Sequence, residues 1–195
     1  AESFTVAGCT VASVVAVSSS IYDVTLAVTG DVAEVRLDMS AGASGVAPAN
    51  ALATPVGGVS VVYTPTVSLA STPSDGSVTS ATTMVVTATF GSDVTGLSAS
   101  DFVVTGGTVG SLTPVGGGVY TVDVSLGSSG AVSVSVSAAS GSVAPANAAS
   151  NAVALTYAPS VVLSGDVVAG SATSSMTATV TATFGSSVSS VTGDF

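Results

Sequence analysis

Met176-Thr177-Ala178-Thr179-Val180-Thr181-Ala182-Thr183-Phe184 alternates without a break. Successive side chains of an extended chain point to opposite faces. Met176, Ala178, Val180, Ala182 and Phe184 therefore share one face and the four threonines share the other. A helix would scatter both sets around its circumference. The segment reads as a half-buried strand, β-branched or apolar on the core side and hydroxyl-bearing on the wet side. Working outward, the same period of two sets Tyr120, Val122, Val124 and Leu126 against Thr121, Asp123 and Ser125. It sets Val132, Val134 and Val136 against Ser133, Ser135 and Ser137, and Val153, Leu155 and Tyr157 against Ala152, Ala154 and Thr156. Turn signals lie between the strands, at Ser74–Gly76, Pro114–Gly118 and Gly127–Gly130. No stretch reads as a helix. Short strands separated by turns every 8–12 residues predict an all-β fold of β-sandwich type.

Composition explains why the chain looks at first like a membrane protein. Its 195 residues include 38 valines, and its mean hydropathy is +0.77. A spanning helix needs about 20 apolar residues, yet even Val11–Val17 is interrupted by Ser13. A lipid-facing barrel would want aromatic girdles, which four Tyr and five Phe do not supply. Disorder requires low hydrophobicity and high charge, and both are absent. The hydrophobicity comes from Val and Ala interleaved with 35 serines and 25 threonines.

Charge excludes more. Eleven acids face one arginine, with no lysine or histidine, for a formal net charge of −10. A single cation cannot build a phosphate-binding surface, so nucleic acid is not an expected partner. There is no imidazole base, no Schiff-base lysine and no P-loop lysine. A serine nucleophile would lack its base. Paired carboxylates would lack aromatic sugar platforms, since Trp is absent. The expectation is that the protein is not an enzyme.

Self-similarity sets the organisation. Thr87-Ala88-Thr89-Phe90-Gly91-Ser92 recurs as Thr181-Ala182-Thr183-Phe184-Gly185-Ser186, 94 residues later. Val46-Ala47-Pro48-Ala49-Asn50 recurs as Val143-Ala144-Pro145-Ala146-Asn147, 97 later, and Tyr63-x-Pro65 recurs as Tyr157-x-Pro159. Tyr22 matches Tyr120 at a spacing of 98. A period of about 95 residues suits one sandwich of immunoglobulin size. Residues 1–65 then match the later part of a repeat, 66–159 a complete repeat, and 160–195 the opening part of a third. Two readings of this phase stay open. The chain is a window of a longer array, or Val161–Phe195 of one copy supplies the opening strands that residues 1–65 of the next lack. No signal peptide is visible at Ala1, which fits a mature chain or an internal fragment.

The run Val94-Thr95-Gly96-Leu97-Ser98-Ala99-Ser100-Asp101-Phe102-Val103-Val104-Thr105-Gly106-Gly107, preceded by Val85-Val86-Thr87-Ala88-Thr89-Phe90, resembles the bacterial Ig-like (Big-type) tandem repeats of large extracellular surface proteins. Tyr120-x-Val122-x-Val124 followed by Val132-x-Val134-x-Val136 resembles them too. Similar repeats occur in algal flagellar-hair (mastigoneme) proteins. The resemblance implies a seven-stranded sandwich in a tandem extracellular or cell-surface array. Where many family members carry an Asp-Ala-Ala-Gly-Asn turn before the last strand, this chain has Ala144-Pro145-Ala146-Asn147. The acidic turn is gone, which weakens any argument for an inherited metal site.

Few residues carry chemistry. Asp93 and Asp101 flank Val94–Ser100 and are the calcium candidates, with Asp194 repeating the Asp101 position. Calcium asks for six to eight oxygens, and Asp93 becomes Ser187 in the third piece. Capping of a turn by the Asp101 carboxylate is the more economical role, and no cofactor is expected. Arg36 sits between Glu34 and Asp38 on the outward face of a strand whose Val35, Leu37 and Met39 point inward, which predicts a local ion pair. Cys9 has no partner within the chain; it is either a buried free thiol or half of an intermolecular disulfide. None of Asn50, Asn147 or Asn151 begins a glycosylation sequon. O-glycosylation of exposed hydroxyls is possible, and glycans are possible partners.

The expected function is a structural repeat of a large extracellular protein, acting as spacer or self-associating subunit of a filament or appendage. Its partners would be neighbouring repeats or copies of itself, meeting through sheet edges. The alternative is an adhesin array whose Gly-rich loops, Gly106–Gly110 and Gly116–Gly118, contact glycans or a neighbouring cell surface.

Overall fold

A computed structural model describes residues 3–28, 34–43, 45–51, 53–54, 58–166, 170–171, 174, 177–188 and 191. Fifteen strands and one 3-10 turn make up the regular structure of these residues. No helix among them is long and apolar enough to cross a membrane. The fold is all-β, as the alternation predicts.

The middle of the chain is a sandwich of two four-stranded sheets. One sheet has the order β10 (Gly107–Gly116), β11 (Val119–Leu126), β8 (Thr83–Phe90), β6 (Val67–Thr72). The other has the order β7 (Val78–Thr79), β13 (Val153–Tyr157), β12 (Gly130–Val136), β9 (Phe102–Thr105). All neighbours are antiparallel except β7 and β13. Eight strand segments appear where the family resemblance implies seven. The extra one arises because the opening strand changes sheets: β6 pairs with β8, the chain turns at Ser74–Ser77, and β7 pairs with β13.

The core lies between these sheets. Met84, Val86, Val122, Val124, Val132 and Val134 are fully buried, and Leu69, Phe90, Phe102, Leu155 and Tyr157 are nearly so. These are the alternate residues of each strand, so the period of two is converted directly into an inside and an outside. Burying a valine or leucine side chain is worth about 1.5–3 kcal/mol, and β-branched side chains pack well on a pleated surface. Serines and threonines make up most of the outward faces, with Asp123 of β11 accepting the hydroxyl of Ser111 at 2.7 Å.

Neighbouring segments repeat parts of this plan. β2 (Cys9–Ala16) pairs with β3 (Tyr22–Val28) as β10 pairs with β11: Val14 lies opposite Val24 where Leu112 lies opposite Val122. Even the irregularity in the hairpin recurs, between Val11 and Ser13 and between Val109 and Leu112. β4 (Glu34–Asp38) lies between β1 (Thr5–Ala7) and β5 (Val59–Val62), as β12 lies between β9 and β13. β14 (Val161–Gly165) pairs with β15 (Val180–Phe184) with Val161 opposite Phe184, as Val67 is opposite Phe90. Gly91 and Gly185 each donate a backbone N–H to the residue before the first strand of the pair, Thr66 and Ser160, both at 2.8 Å. A Cβ on either glycine would press on the hydroxyl of that residue, at 2.9 and 2.8 Å.

The strand expected over Met176–Phe184 differs from the expectation in two ways. It is a strand only over Val180–Phe184, and Met176 lies outside the described residues. Its apolar face is exposed rather than half-buried, Val180 to 65%. Alternation specifies that one face is apolar; a second layer has to be present to cover it.

Candidate functional site

The densest polar constellation gathers at one pole of the middle sandwich, from the β8–β9 and β12–β13 connections. After β8 the chain forms a bridge, Thr95 and Ala144 exchanging backbone hydrogen bonds at 2.9 and 3.0 Å. It then makes a single 3-10 turn, Ala99–Asp101. Asp101, 5% exposed, closes this turn. One carboxylate oxygen accepts the backbone N–H and the hydroxyl of Ser98, both at 2.8 Å, and the other accepts the hydroxyl of Ser140 at 3.0 Å. Burial by itself raises the pKa of such a carboxyl. The Ser98 hydroxyl, the Ser98 N–H and the Ser140 hydroxyl outweigh it and hold Asp101 below its ordinary 3.8. Gly141 backs onto this carboxylate with a φ of +50°, and a Cβ there would collide with Asp101 Oδ1. The turn-capping role expected for Asp101 is what these bonds perform.

Beside it, Asn147 is 1% exposed and uses its whole amide. Its Oδ1 accepts the N–H of Ser140 at 3.1 Å, and its Nδ2 donates to the carbonyls of Ser137 and Ala148 at 2.8 and 2.7 Å. A buried amide is tolerated when its hydrogen bonds are made, and it then holds a loop in one shape. Asn50 repeats the arrangement position for position: Oδ1 accepts Ala43 N–H, and Nδ2 donates to Ser40 and Ala51 carbonyls. The Ala47-Pro48 and Ala144-Pro145 peptide bonds within the two loops are both cis. The signal that identifies Asn50 and Asn147 is the repeated Val-Ala-Pro-Ala-Asn pentapeptide, which carries a loop clamp.

The clamp reaches the linker through which the chain enters the sandwich. Ala148 N–H donates to the carbonyl of the fully buried Pro65 at 2.9 Å, next to the Gly91–Thr66 bond. Asn151 holds both backbone groups of Leu69, at 2.8 and 3.0 Å. The far end of β13 leaves beside Thr79, whose carbonyl accepts Ala158 N–H at 2.8 Å. The chain therefore enters the sandwich at one pole and leaves it at the opposite one.

Tyr120, on the inner strand β11, ties its sheet to this region. Its ring meets Phe90 edge to face at 5.8 Å between centroids, and its hydroxyl donates to Val94 O at 2.8 Å. Burial first, and then the negative charge of Asp93, push its pKa above the ordinary 10.0.

No protein-family model matches this sequence, and no curated protein matches it. Among solved structures the chain is similar to InvD of Yersinia pseudotuberculosis, at 17% identity and a TM-score of 0.34. The match covers 85% of this chain and 52% of that one, so the chain spans about half the length of that structure. A likeness this distant transfers no property of InvD.

The remaining predicted residues fall as follows. Asp93 is exposed, and Asp194 lies outside the described residues. No three of His, Cys, Asp and Glu come together among the described residues in a way that would hold a metal ion. Arg36 reaches Asp38 at 3.5 Å on the outward face of β4, in an exposed pair of the kind worth about 0–1 kcal/mol. Cys9 is 6% exposed, its thiol directed at the Arg36 carbonyl at 3.7 Å. Among the described residues, clefts of about 170 and 260 Å³ lie beside β1 and β4. The larger is lined by Phe4, Leu37, Met39 and Val59 among others. What the constellation does chemically is hold backbone: it fixes two loops and the linker to each other.

Proposed function

We propose that this chain is a structural repeat segment of a large extracellular protein, serving as spacer or self-associating subunit of a surface filament or appendage. One observation supports the reading above the rest: the sandwich is entered and left at opposite poles, with the first linker clamped by Ala148 and Gly91. A module threaded in this way transmits length from one repeat to the next. Hydrogen-bonded linkers resist the hinge motion that free Gly/Ser linkers allow. The chemistry of the surface fits the same role. Outward strand faces carry mostly serine and threonine, with few charges such as Asp123 to desolvate when one face packs against another, and the uncompensated acids favour solubility. The absence of lysine and the single Arg36 leave one tryptic site in 195 residues, an advantage outside the cell.

Immunogold electron microscopy of unpermeabilised source cells with antibodies to this chain tests the reading. The expected result is label along regular structures outside the cell. Label confined to the cytoplasm of sectioned cells would overturn it.

A further inference from the structure

The first and last segments of the middle sandwich lie side by side and run in the same direction. Pro65 O accepts Ala148 N–H at 2.9 Å, Ser77 O accepts Thr156 N–H at 2.9 Å, and Thr79 O accepts Ala158 N–H at 2.8 Å. Gly76 N–H donates to Ala154 O at 2.7 Å, and β7 and β13 pair in parallel. Between Leu69 and Gly76 the opening strand changes sheets, and β6 and β13 belong to different ones, so the backbone ladder is interrupted there. Two side chains span the gap. Asn151 holds the N–H and the carbonyl of Leu69, and Asp75 Oδ1 accepts Ala154 N–H at 2.6 Å. Both residues are exposed, and neither belongs to the constellation around Asp101.

We propose that this seam bears tension applied along the chain, with Asn151 and Asp75 as the ties that carry load where the backbone ladder is interrupted. Direction is what gives the seam this property. The chain enters the sandwich at the Pro65 end and leaves it at the Ala158 end. Tension therefore draws residues 65–79 toward one pole and residues 148–158 toward the other, and the two segments are forced to slide past each other. The hydrogen bonds between parallel neighbours lie across that motion. They are strained together, whereas a hairpin pulled from its open end loses its bonds one pair at a time. Sliding would also drag Val67 and Leu69, each 6% exposed, out of the core and expose their apolar surface to water. The middle sandwich is thus a load-resisting module, not only a spacer. The proposal deepens the structural reading and rests on it for the source of the tension; the resistance itself follows from the pairing.

Optical-tweezers extension of the full 195-residue chain, held at its two ends, tests the proposal. Release of residues 66–158 lengthens the tether by about 300 Å, at about 3.3–3.6 Å per residue, which marks the event. Its rate at constant force is an unfolding rate. Asn151→Ala is expected to raise that rate about tenfold, and Asp75→Ala to raise it as well. Tyr120→Phe removes a hydrogen bond to Val94, outside the seam, and is expected to leave the rate within about twofold. Both Asn151→Ala and Tyr120→Phe are expected to lower the urea midpoint, so thermodynamic loss alone does not separate them. In a Cys9→Ser background, handles are then placed on Thr108→Cys and Ser125→Cys, exposed partners at the open end of the β10–β11 hairpin. This pull peels the hairpin, and is expected to open it at a lower force than end-to-end extension needs. End-to-end release at a force no higher than peeling overturns the proposal. An Asn151→Ala effect no larger than that of Tyr120→Phe overturns it as well. Either result leaves the spacer reading standing. Label confined to the cytoplasm would overturn that reading and leave the seam's resistance to load untouched.

Discussion

The hydroxyl of Tyr120 donates to the carbonyl of Val94 at 2.8 Å, across 26 residues of chain, while its ring packs edge to face on Phe90. One side chain thus joins strand β11, the end of β8 and the loop that leads to Asp101. Tyr120→Phe keeps the ring and removes the bond. It is expected to cost about 0.5–1.5 kcal/mol, read as a lowered midpoint in urea unfolding of the full chain.

The raised pKa of Tyr120 has a pH consequence. Above the ordinary value of 10.0 the unfolded chain releases the phenolic proton while the folded chain still holds it, because burial and Asp93 disfavour the phenolate. The unfolded state then binds fewer protons, so stability falls as pH rises through 10.0 toward the folded value. Urea midpoints measured across alkaline pH are expected to fall less steeply in Tyr120→Phe than in the native chain.

Asp101 works in the opposite direction. Its folded pKa lies below the ordinary 3.8, so its contribution is complete above that value and disappears as pH falls through the folded pKa. Asp101→Asn loses at least one of three accepted bonds and the charge that strengthens them, at a cost of about 1–3 kcal/mol near neutral pH. The difference between variant and native chain is expected to shrink below pH 3.8. A difference that stays constant into acid would mean that the carboxylate charge contributes nothing.

Asn147 separates the making of hydrogen bonds from polarity. Asn147→Ala leaves Ser137 and Ala148 carbonyls and the Ser140 N–H without a partner, and is expected to cost about 2–4 kcal/mol. Asn147→Asp keeps the acceptor, removes both donors and buries a charge beside two carbonyls. It is expected to be the more damaging of the two by thermal unfolding near neutral pH.

Tyr157 is the contrasting case. It is 1% exposed, and its hydroxyl has no hydrogen-bond partner among the described residues. Tyr157→Phe removes a desolvated polar atom and keeps the ring, so it is expected to leave the melting temperature unchanged or raise it.

Arg36 is the one residue after which trypsin cuts. It lies in β4, paired with Ala7 on one side and Ser60 on the other. Cleavage requires that strand to open. The native chain is expected to survive trypsin that splits the urea-unfolded chain into two pieces, after residue 36.

Tyr120–Leu126, Val132–Val136 and Val153–Tyr157 fold as the strands their alternation specifies, with the expected side inward. The turn expected over Pro114–Gly118 is narrower. β10 runs through Gly116, and only Gly117 and Gly118, both at positive φ, turn the chain into β11. The loop expected over Gly106–Gly110 is strand from Gly107 onward. The candidate site was only half legible. Asp101 was found from its place beside the 94–100 segment, but its partner Ser140 lies in a loop 39 residues away, held there by Asn147, and sequence periodicity does not bring distant loops together.

The sequence by itself determined that this is an all-β chain with apolar and hydroxyl faces, because the strand period of two is written in neighbouring residues. Only the tertiary structure decided which apolar faces are covered. Val86 and Val180 stand in equivalent places on equivalent strands, yet one is 0% exposed and the other 65%. Their local sequences are nearly the same. What differs is the opposing sheet, and a layer packed across a core is set by chain topology rather than by the residues of the strand it covers.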